Sequence, residues 1–597
     1  MTRRSLVVVA ACLAAAGRAG AQVDTTARRH PPAARDTLAL DSTRRDTTAR
    51  DTSARLLPVY PAPRPEGPLP RGTRYSFPVD SLVFSNVETL ADLLAHVPGV
   101  YVARGGAFGQ PEIVLYGGRG PAALEVYWDG VPYLPAGRDS IYLDPARVSL
   151  APLERVDVVV LPAALRVYLV TARQASTAAA TEIRVLTGDV SHAGYRGSFA
   201  KRWRSGVGLS LAGDWNTIAG YPNSATTAFS GVDLWLKADY VPTARGGASY
   251  EIVSSSWHRA AGPVTGFVRQ ERRDAIFRFF LAHRDDGLGP RFDLALATTG
   301  VRRDTAVAAR TLPQGIIQLA DAWPRAHASI ALRFQDEHRP LQVEGRAAWS
   351  PVPPVSLAAD LRRASYDLSR AGTRAHLAAG LTLPLGLTAR GDVAWSHDLQ
   401  APALGTDTLQ RTTDLSGALR WDGRWAALEL GGARRGAFAP RGGPTGLKSV
   451  DSLGPSPQAN YVTAAASLRP VAGLTLSGWY WHPLQGHDAD FEPPHHGRLS
   501  ATFYSKFWRV YKSGDFALRG ELAMESWSAG PGGRDSLGQA LILPGATFVD
   551  WNLEVQVAGV TIFWMIRNNN LMRAGYVPGL DYPRRGQFYG VRWVFTN

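Results

Sequence analysis

From Thr181 onward, apolar and polar side chains alternate with a period of two, segment after segment. In Val207 to Trp215 the apolar positions are Val207, Leu209, Leu211 and Trp215, with Ser210 and Asp214 opposite. Leu341, Val343, Ala347 and Trp349 oppose Gln342, Glu344 and Arg346, and Leu385, Leu387, Val393 and Trp395 oppose Thr388, Arg390 and Asp392. Phe516, Leu518, Leu522 and Met524 face away from Arg519, Glu521 and Glu525, and Trp551, Leu553, Val555 and Val557 from Asn552, Glu554 and Gln556. Each segment predicts a β-strand with two unlike faces, about 22 in all on a liberal count, the joins around Ile316 to Gln335 reading either way.

A soluble sandwich, with one dry face and one wet face, gives the same alternation, so periodicity leaves both architectures open. Two features favour a membrane barrel. Many of the 17 tryptophans close a strand, where aromatic rings meet the lipid headgroups. The last segment, Gln587 to Asn597, sets Tyr589, Val591, Trp593 and Phe595 against Gly590, Arg592 and Val594. The expected fold is therefore mainly β: a transmembrane antiparallel β-barrel over residues 181–597, in the cell outer membrane, its charged inner faces lining a wet lumen.

Residues 73–175 read differently, as a small α/β domain. Ser85 and Glu88 form a capping box, after which Val87, Leu90, Leu93, Leu94 and Val97 mark one helical face and Pro98-Gly99 stops it. Apolar runs at Ile113 to Tyr116, Leu124 to Trp128, Val156 to Leu161 and Val167 to Thr171 predict short strands, with an Asp129-Gly130 turn among them. Residues 22–72 predict a disordered linker, rich in Asp-Thr and Arg units and then in proline, spanning roughly 40 Å if flexible. Arg3, Arg4, the apolar run Leu6 to Ala16 and Ala19-Gly20-Ala21 predict a signal peptide over residues 1–21, with Val9-Ala10-Ala11-Cys12 as a competing lipoprotein box.

Composition narrows the chemistry. Cys12 is the only cysteine, so the mature chain carries no disulfide, thiolate metal site or cysteine nucleophile. Apolar runs stay short of the 18 or so residues that a membrane helix needs. The net charge of +14 is mostly arginine, which suits anionic headgroups or an anionic ligand as well as an arginine-rich codon usage. No basic cluster with interleaved aromatics supports nucleic-acid binding, and no phosphate loop, HExxH or nucleophile pattern supports catalysis, so no enzyme activity and no cofactor are expected. One cluster, His487, Asp488, Asp490, Glu492, His495 and His496, has the composition of a ligand or metal site on an external loop; a polar surface loop turned by Pro493-Pro494 reads equally from it.

Taken together, Glu88 to Val100, Ile113-Val114-Leu115-Tyr116-Gly117-Gly118-Arg119-Gly120, Val126-Tyr127-Trp128-Asp129-Gly130-Val131-Pro132 and Leu153-Glu154-Arg155-Val156-Asp157-Val158 resemble the plug of the TonB-dependent receptor family. Arg567-Asn568-Asn569-Asn570, Tyr576, Pro583 to Gly586 and Tyr589-Gly590-Val591 resemble its closing hairpin, and Gly590, Trp593 and Phe595 its C-terminal assembly signal, read by the barrel assembly machinery. The resemblance implies a receptor and transporter for a scarce solute such as a ferric chelate, worked by a TonB-type inner-membrane energy transducer. The best match to the family's coupling box is Leu56-Leu57-Pro58-Val59-Tyr60. Val160 to Ala164 replaces the family's Gly-rich plug loop, which leaves a non-transporting plugged barrel as the alternative.

Overall fold

The computed structural model of the protein describes residues 55–63, 69–135, 141–220, 226–262, 266–304, 309–335, 339–367, 369–402, 406–441, 447, 449–485, 489–583 and 585–596. The signal-peptide reading and most of the linker lie outside these residues.

The alternating segments close into a barrel of 22 antiparallel strands, each paired to its neighbours in sequence. Its first strand, Ala180–Gly188, pairs with its last, Gly586–Thr596, in the register Thr181 to Phe595, so no edge is left with unmet backbone groups in lipid. The uncertain joins resolve into Arg310–Trp323 and Ala326–Gln335, linked by a two-residue turn. One expected strand starts later than its pattern: Leu385 belongs to the turn before Leu387–Asp398, at φ +63°, and is almost fully exposed. Its neighbours Pro384 and Gly386 demand turn geometry, which overrides the alternation.

The two faces part as the side chains require. Leu211, Leu281, Leu319, Leu361, Leu430, Leu522 and Ile562 are exposed on the outer wall, where lipid solvates them. Ser210, Gln342, Glu344, Asp392, Glu521 and Glu554 are buried on the inner wall. The first strand leaves the plug, so its connected end is periplasmic. Tight turns such as 244–245, 324–325 and 558–559 lie at that end, and the long connections 436–458, 528–545 and 568–585 lie at the other. Of the ten exposed tryptophans among the described residues, seven (203, 323, 349, 421, 425, 508 and 593) ring the periplasmic end.

The lumen holds the plug. Its sheet is built from β1 (Arg74–Pro78), β4 (Leu124–Trp128), β5 (Val131–Pro132), β6 (Leu153–Leu161) and β7 (Ala164–Thr171), in the order β1-β6-β7-β4-β5. A separate hairpin, β2 (Tyr101–Arg104) with β3 (Glu112–Leu115), points to the external mouth. Asp129 and Gly130, at φ +46° and +89°, make the turn between β4 and β5. The loop missing between β6 and β7 becomes a tight turn, with Leu161 paired directly to Ala164.

The plug helices are α1 (Val79–Leu82) and α2 (Leu90–Leu94). α2 begins later than the expected Ser85/Glu88 box: Asp92 accepts the Thr89 and Glu88 N–H groups instead, at 3.1 and 2.9 Å. Glu88 is taken by Arg184 of the barrel, and the Ser85 N–H by Glu554, so tertiary partners outbid the local cap. Leu90, Leu93, Leu94, Val156, Val158, Leu165 and Leu169 form the plug core, which runs on into Trp235, Trp479 and Trp481 of the barrel wall.

Candidate functional site

The plug occupies the lumen, and part of the charged wall pairs with it, Arg184 with Glu88, Arg362 with Glu125 and Arg567 with Asp92, while other wall charges, such as Arg196 with Asp214 and Arg420 with Asp422, pair with one another. The centre of this contact is the Asp129-Gly130 turn. Asp129 accepts the Thr171 N–H at 3.0 Å and its hydroxyl at 2.6 Å, and pairs with Arg278 at 2.7 Å and Lys237 at 3.7 Å. Glu251 holds the same two cations and accepts the indole N–H of Trp128 and Trp235, both at 3.2 Å. Burial alone would raise the Asp129 carboxyl; the two cations and the Thr171 bonds hold it well below the usual carboxylate range. A two-cation, two-anion cluster of this kind fixes plug orientation, because withdrawing one member strands the others in a dry interior.

The segment Leu56–Tyr60 reaches that cluster. Leu57 donates its N–H to Ala175 at 2.9 Å, Thr177 donates to Arg55 at 3.0 Å, and Leu56 bridges Ser176, so the stretch runs antiparallel to the connection between plug and first barrel strand. Leu56 is exposed. Tyr60 is buried against Phe280, edge-on at 4.9 Å, with the Arg278 guanidinium 4.6 Å from its ring centroid. Beside it lies a cavity of about 650 Å³, bounded by Pro58 to Pro63 and by the periplasmic turns around Arg284 and Trp323. The sequence offered no sign that Tyr60, Arg278 and Asp129 would meet.

The external acidic and histidine residues are spread apart. His487 and Asp488 lie outside the described residues. Asp490 accepts the Gly454 N–H at 2.6 Å, and Glu492 is buried under Arg435 and the Tyr461 hydroxyl. His495 and His496 are neighbours that turn to opposite faces: His495 stacks on His482 at 4.9 Å, and His496 meets Glu525 at 2.9 Å inside. Among the described residues no three His, Asp or Glu side chains are placed to hold a metal ion. Over this mouth the connections fold inward, and Phe491, Trp527, Phe548, Tyr576 and Leu580 pack on Tyr101, Ile113 and Leu115 of the plug tip.

At the closing strand Trp593 stacks with Phe595 at 4.4 Å, and Trp593 is exposed to lipid. Arg592 turns inward to donate to the Val83 carbonyl of the plug at 2.7 Å. Gly590 faces inward too, where a Cβ would meet the Val185 carbonyl and the Phe563 ring.

Residues 72–167 match the family model of the TonB-dependent receptor plug domain. No curated protein sequence matches the chain. Among solved structures, the siderophore receptor PirA from Acinetobacter baumannii is similar at 10% identity, covering 88% of this chain and 98% of that one with a TM-score of 0.67. The copper transporter OprC is similar at 12% identity, 88% and 100% coverage and a TM-score of 0.68. The FrpB iron transporter from Neisseria meningitidis is similar at 9% identity, 88% and 99% coverage and a TM-score of 0.66. At these identities the likeness is one of fold.

Proposed function

We propose that the chain, with a TonB-dependent receptor plug at residues 72–167 inside its barrel, is a receptor of that family that takes up a scarce solute from outside the cell, its plug worked through Leu56–Tyr60 by a TonB-type inner-membrane energy transducer. The observation that carries this is the placement of that segment. Leu56 is exposed at the periplasmic end, and four residues on Tyr60 lies under Arg278, which also grips Asp129 of the plug. An extended partner strand can add to such a segment through backbone hydrogen bonds, and tension on it draws Tyr60 from its slot. Arg278 then loses its aromatic cover while still buried, which weakens the hold on the plug where the periplasmic cavity begins.

The alternative, a plugged barrel that binds at the surface without transport, draws on the packing of Phe491, Trp527 and Tyr576 over the plug tip and the tight turn at Leu161–Ala164. Two variants separate these readings. Leu57→Pro removes the N–H that now binds Ala175 and that a partner strand takes over once the segment is pulled free, and is expected to abolish energy-dependent uptake while solute binding at the cell surface persists. Tyr60→Ala keeps every backbone donor and is expected to retain uptake. Energy-dependent uptake in Leu57→Pro would show that another segment couples; its absence in the parent would favour the surface-binding barrel. Ferric chelates and copper, the cargoes named for the similar structures, are the first solutes to try.

A further inference from the structure

Two cavities lie on one side of the plug, between it and the wall formed by the strands from Gly289–Arg303 to Val355–Ser365. The first is the 650 Å³ cavity at the periplasmic end. The second, about 130 Å³, extends to Gln335, Gln400 and Pro402 at the external end. Both are bounded by Arg333 and Ile316, so a single layer of side chains separates them. On the plug side of that layer Tyr127 and Tyr168, cross-strand neighbours on β4 and β7, stack at 5.2 Å. On the barrel side the Arg333 guanidinium lies 5.2 Å from the Tyr127 ring centroid.

The layer is short of negative charge. Glu125 serves three guanidiniums, of Arg166, Arg362 and Arg374, at 3.2, 3.0 and 2.9 Å, and Arg374 also reaches Asp398. Glu344 pairs with Arg333 at 3.1 Å and with Arg346, and Asp360 divides itself between Arg346 and Arg166. Arg333 keeps two nitrogens, Nε and one terminal nitrogen, buried without a hydrogen-bond acceptor. Of the eight arginines around the larger cavity, Arg74 and Arg155 pair with Asp157, Arg173 with Glu154 and Arg284 with Asp286, carboxylates set behind the lining, and Arg333 is the one with two nitrogens left open. Buried guanidinium N–H groups without an acceptor in a low-dielectric cleft seek anionic oxygens.

We infer that this seam is a binding path for small oxyanions, carboxylate or phosphate in character, gated where Arg333 covers Tyr127. The inference rests on the uptake reading and deepens it: a carboxylate or phosphate group handed from the external cavity to Arg333 and on to the periplasmic cavity passes the plug by side-chain movement alone, without the Gly-rich loop that this chain lacks.

The test uses the near absence of cysteine. In full-length Cys12→Ala protein in detergent micelles, Gln342→Cys reports the external cavity and Ser329→Cys the periplasmic one, with the exposed Leu537→Cys as reference. Each is modified with anionic sulfonatoethyl, cationic trimethylammonioethyl and neutral methyl methanethiosulfonate. Relative to the reference, both cavity cysteines are expected to favour the anionic over the cationic reagent by about tenfold at low salt. Arg333→Gln should reduce that ratio severalfold at Gln342→Cys, and Tyr127→Ala should raise all three rates together. A ratio near one, a cationic preference, or failure of the neutral reagent to reach either cysteine overturns the inference. An anion preference in a chain that mediates no uptake would instead overturn the uptake reading and leave the seam standing.

Discussion

The plug touches the barrel in two unlike ways. Toward the strands Ala459–Leu468, Leu474–Gln485 and His496–Ser505 the contact is dry and aromatic. Tyr461, Trp479 and Trp481 pack on the helix and turn around Val97 to Gly99, and a void of only about 80 Å³ remains. Toward the strands from Gly289 to Ser365 the contact is a cleft with about 650 and 130 Å³ of space, held apart by arginines and carboxylates. The difference teaches which wall holds and which one yields. Close-packed aromatic surface gives up its dispersion contacts on any shift, whereas long charged side chains swing about their stems at small cost. The Asp129 cluster stands between these regimes, polar and buried, with Asp129 and Arg278 at the edge of the periplasmic cavity.

The largest disturbance is expected from Arg278→Leu, which leaves Asp129 and Glu251 buried with Lys237 as their remaining cation. Breaking such a cluster costs about 3–5 kcal/mol. The plug should become sensitive to protease in purified barrels, and large antibiotics should enter cells. An intact plug would place the holding contacts elsewhere.

Gly99→Val attacks the dry wall. Gly99 sits at φ +81°, and a Cβ there would come within 2.4 Å of the Trp481 ring. Overpacking and the unfavourable φ together are expected to cost about 2–3 kcal/mol of plug docking, measured by the same proteolysis. Adding Trp481→Ala should restore part of it, because it clears the ring and leaves only the backbone strain; no restoration would mean that Trp481 is not the obstacle.

Phe595→Ala tests the outer surface in place of the inner contacts. Its ring stacks on lipid-exposed Trp593, while Arg592 on the other face holds a plug carbonyl. Loss of the aromatic is expected to lower the yield of heat-modifiable, folded barrel severalfold, and Arg592→Gln to leave it nearly unchanged. Equal yields would contradict that facing.

In the cleft, Tyr168→Phe removes the hydroxyl that accepts from Arg346 at 2.8 Å while keeping the stack on Tyr127. Docking is expected to change by less than about 1 kcal/mol, and a larger loss would make the cleft a holding wall too. The smallest effect belongs to pH. The folded Asp129 carboxyl titrates below its unfolded value of about 4, so its contribution is complete above that value and declines only as pH falls through the folded one. The Asp129 contribution to protease resistance of the plug should therefore be the same at pH 7 and pH 5, and any gain on going to pH 5 belongs to Glu112, whose carboxyl burial pushes up to about 7.

Much of this was legible in the chain. Tyr589, Val591 and Trp593 face lipid and Arg592 faces the plug as the alternation required, because a strand in a bilayer has no other way to sort its side chains. β4, the Asp129-Gly130 turn and β6 stand where local turn chemistry and apolar runs placed them. The start of α2 and the site were not. Ser85 and Glu88 form an acceptable cap in isolation, yet Glu554 and Arg184, hundreds of residues or a barrel wall away, claim them first. Likewise Glu492, His495 and His496 are close in sequence but point to different surroundings once a strand alternates their faces.

What the sequence determined by itself was the membrane barrel, the plug and the facing of most strands, since period, turn residues and aromatic placement are local and repeated in every hairpin, whereas the joins that set the count at 22 needed the paired strands. What only the tertiary structure decided was which charges meet. The lumen carries arginines and carboxylates on nearly every strand, and their pairing depends on how a separate domain sits inside a closed wall. Asp129 finds Arg278 and Lys237, Tyr60 finds Arg278, and Arg333 is left with two unanswered nitrogens. Electrostatic partners are chosen by distance in three dimensions, and alternation along a strand fixes only the side from which each charge looks.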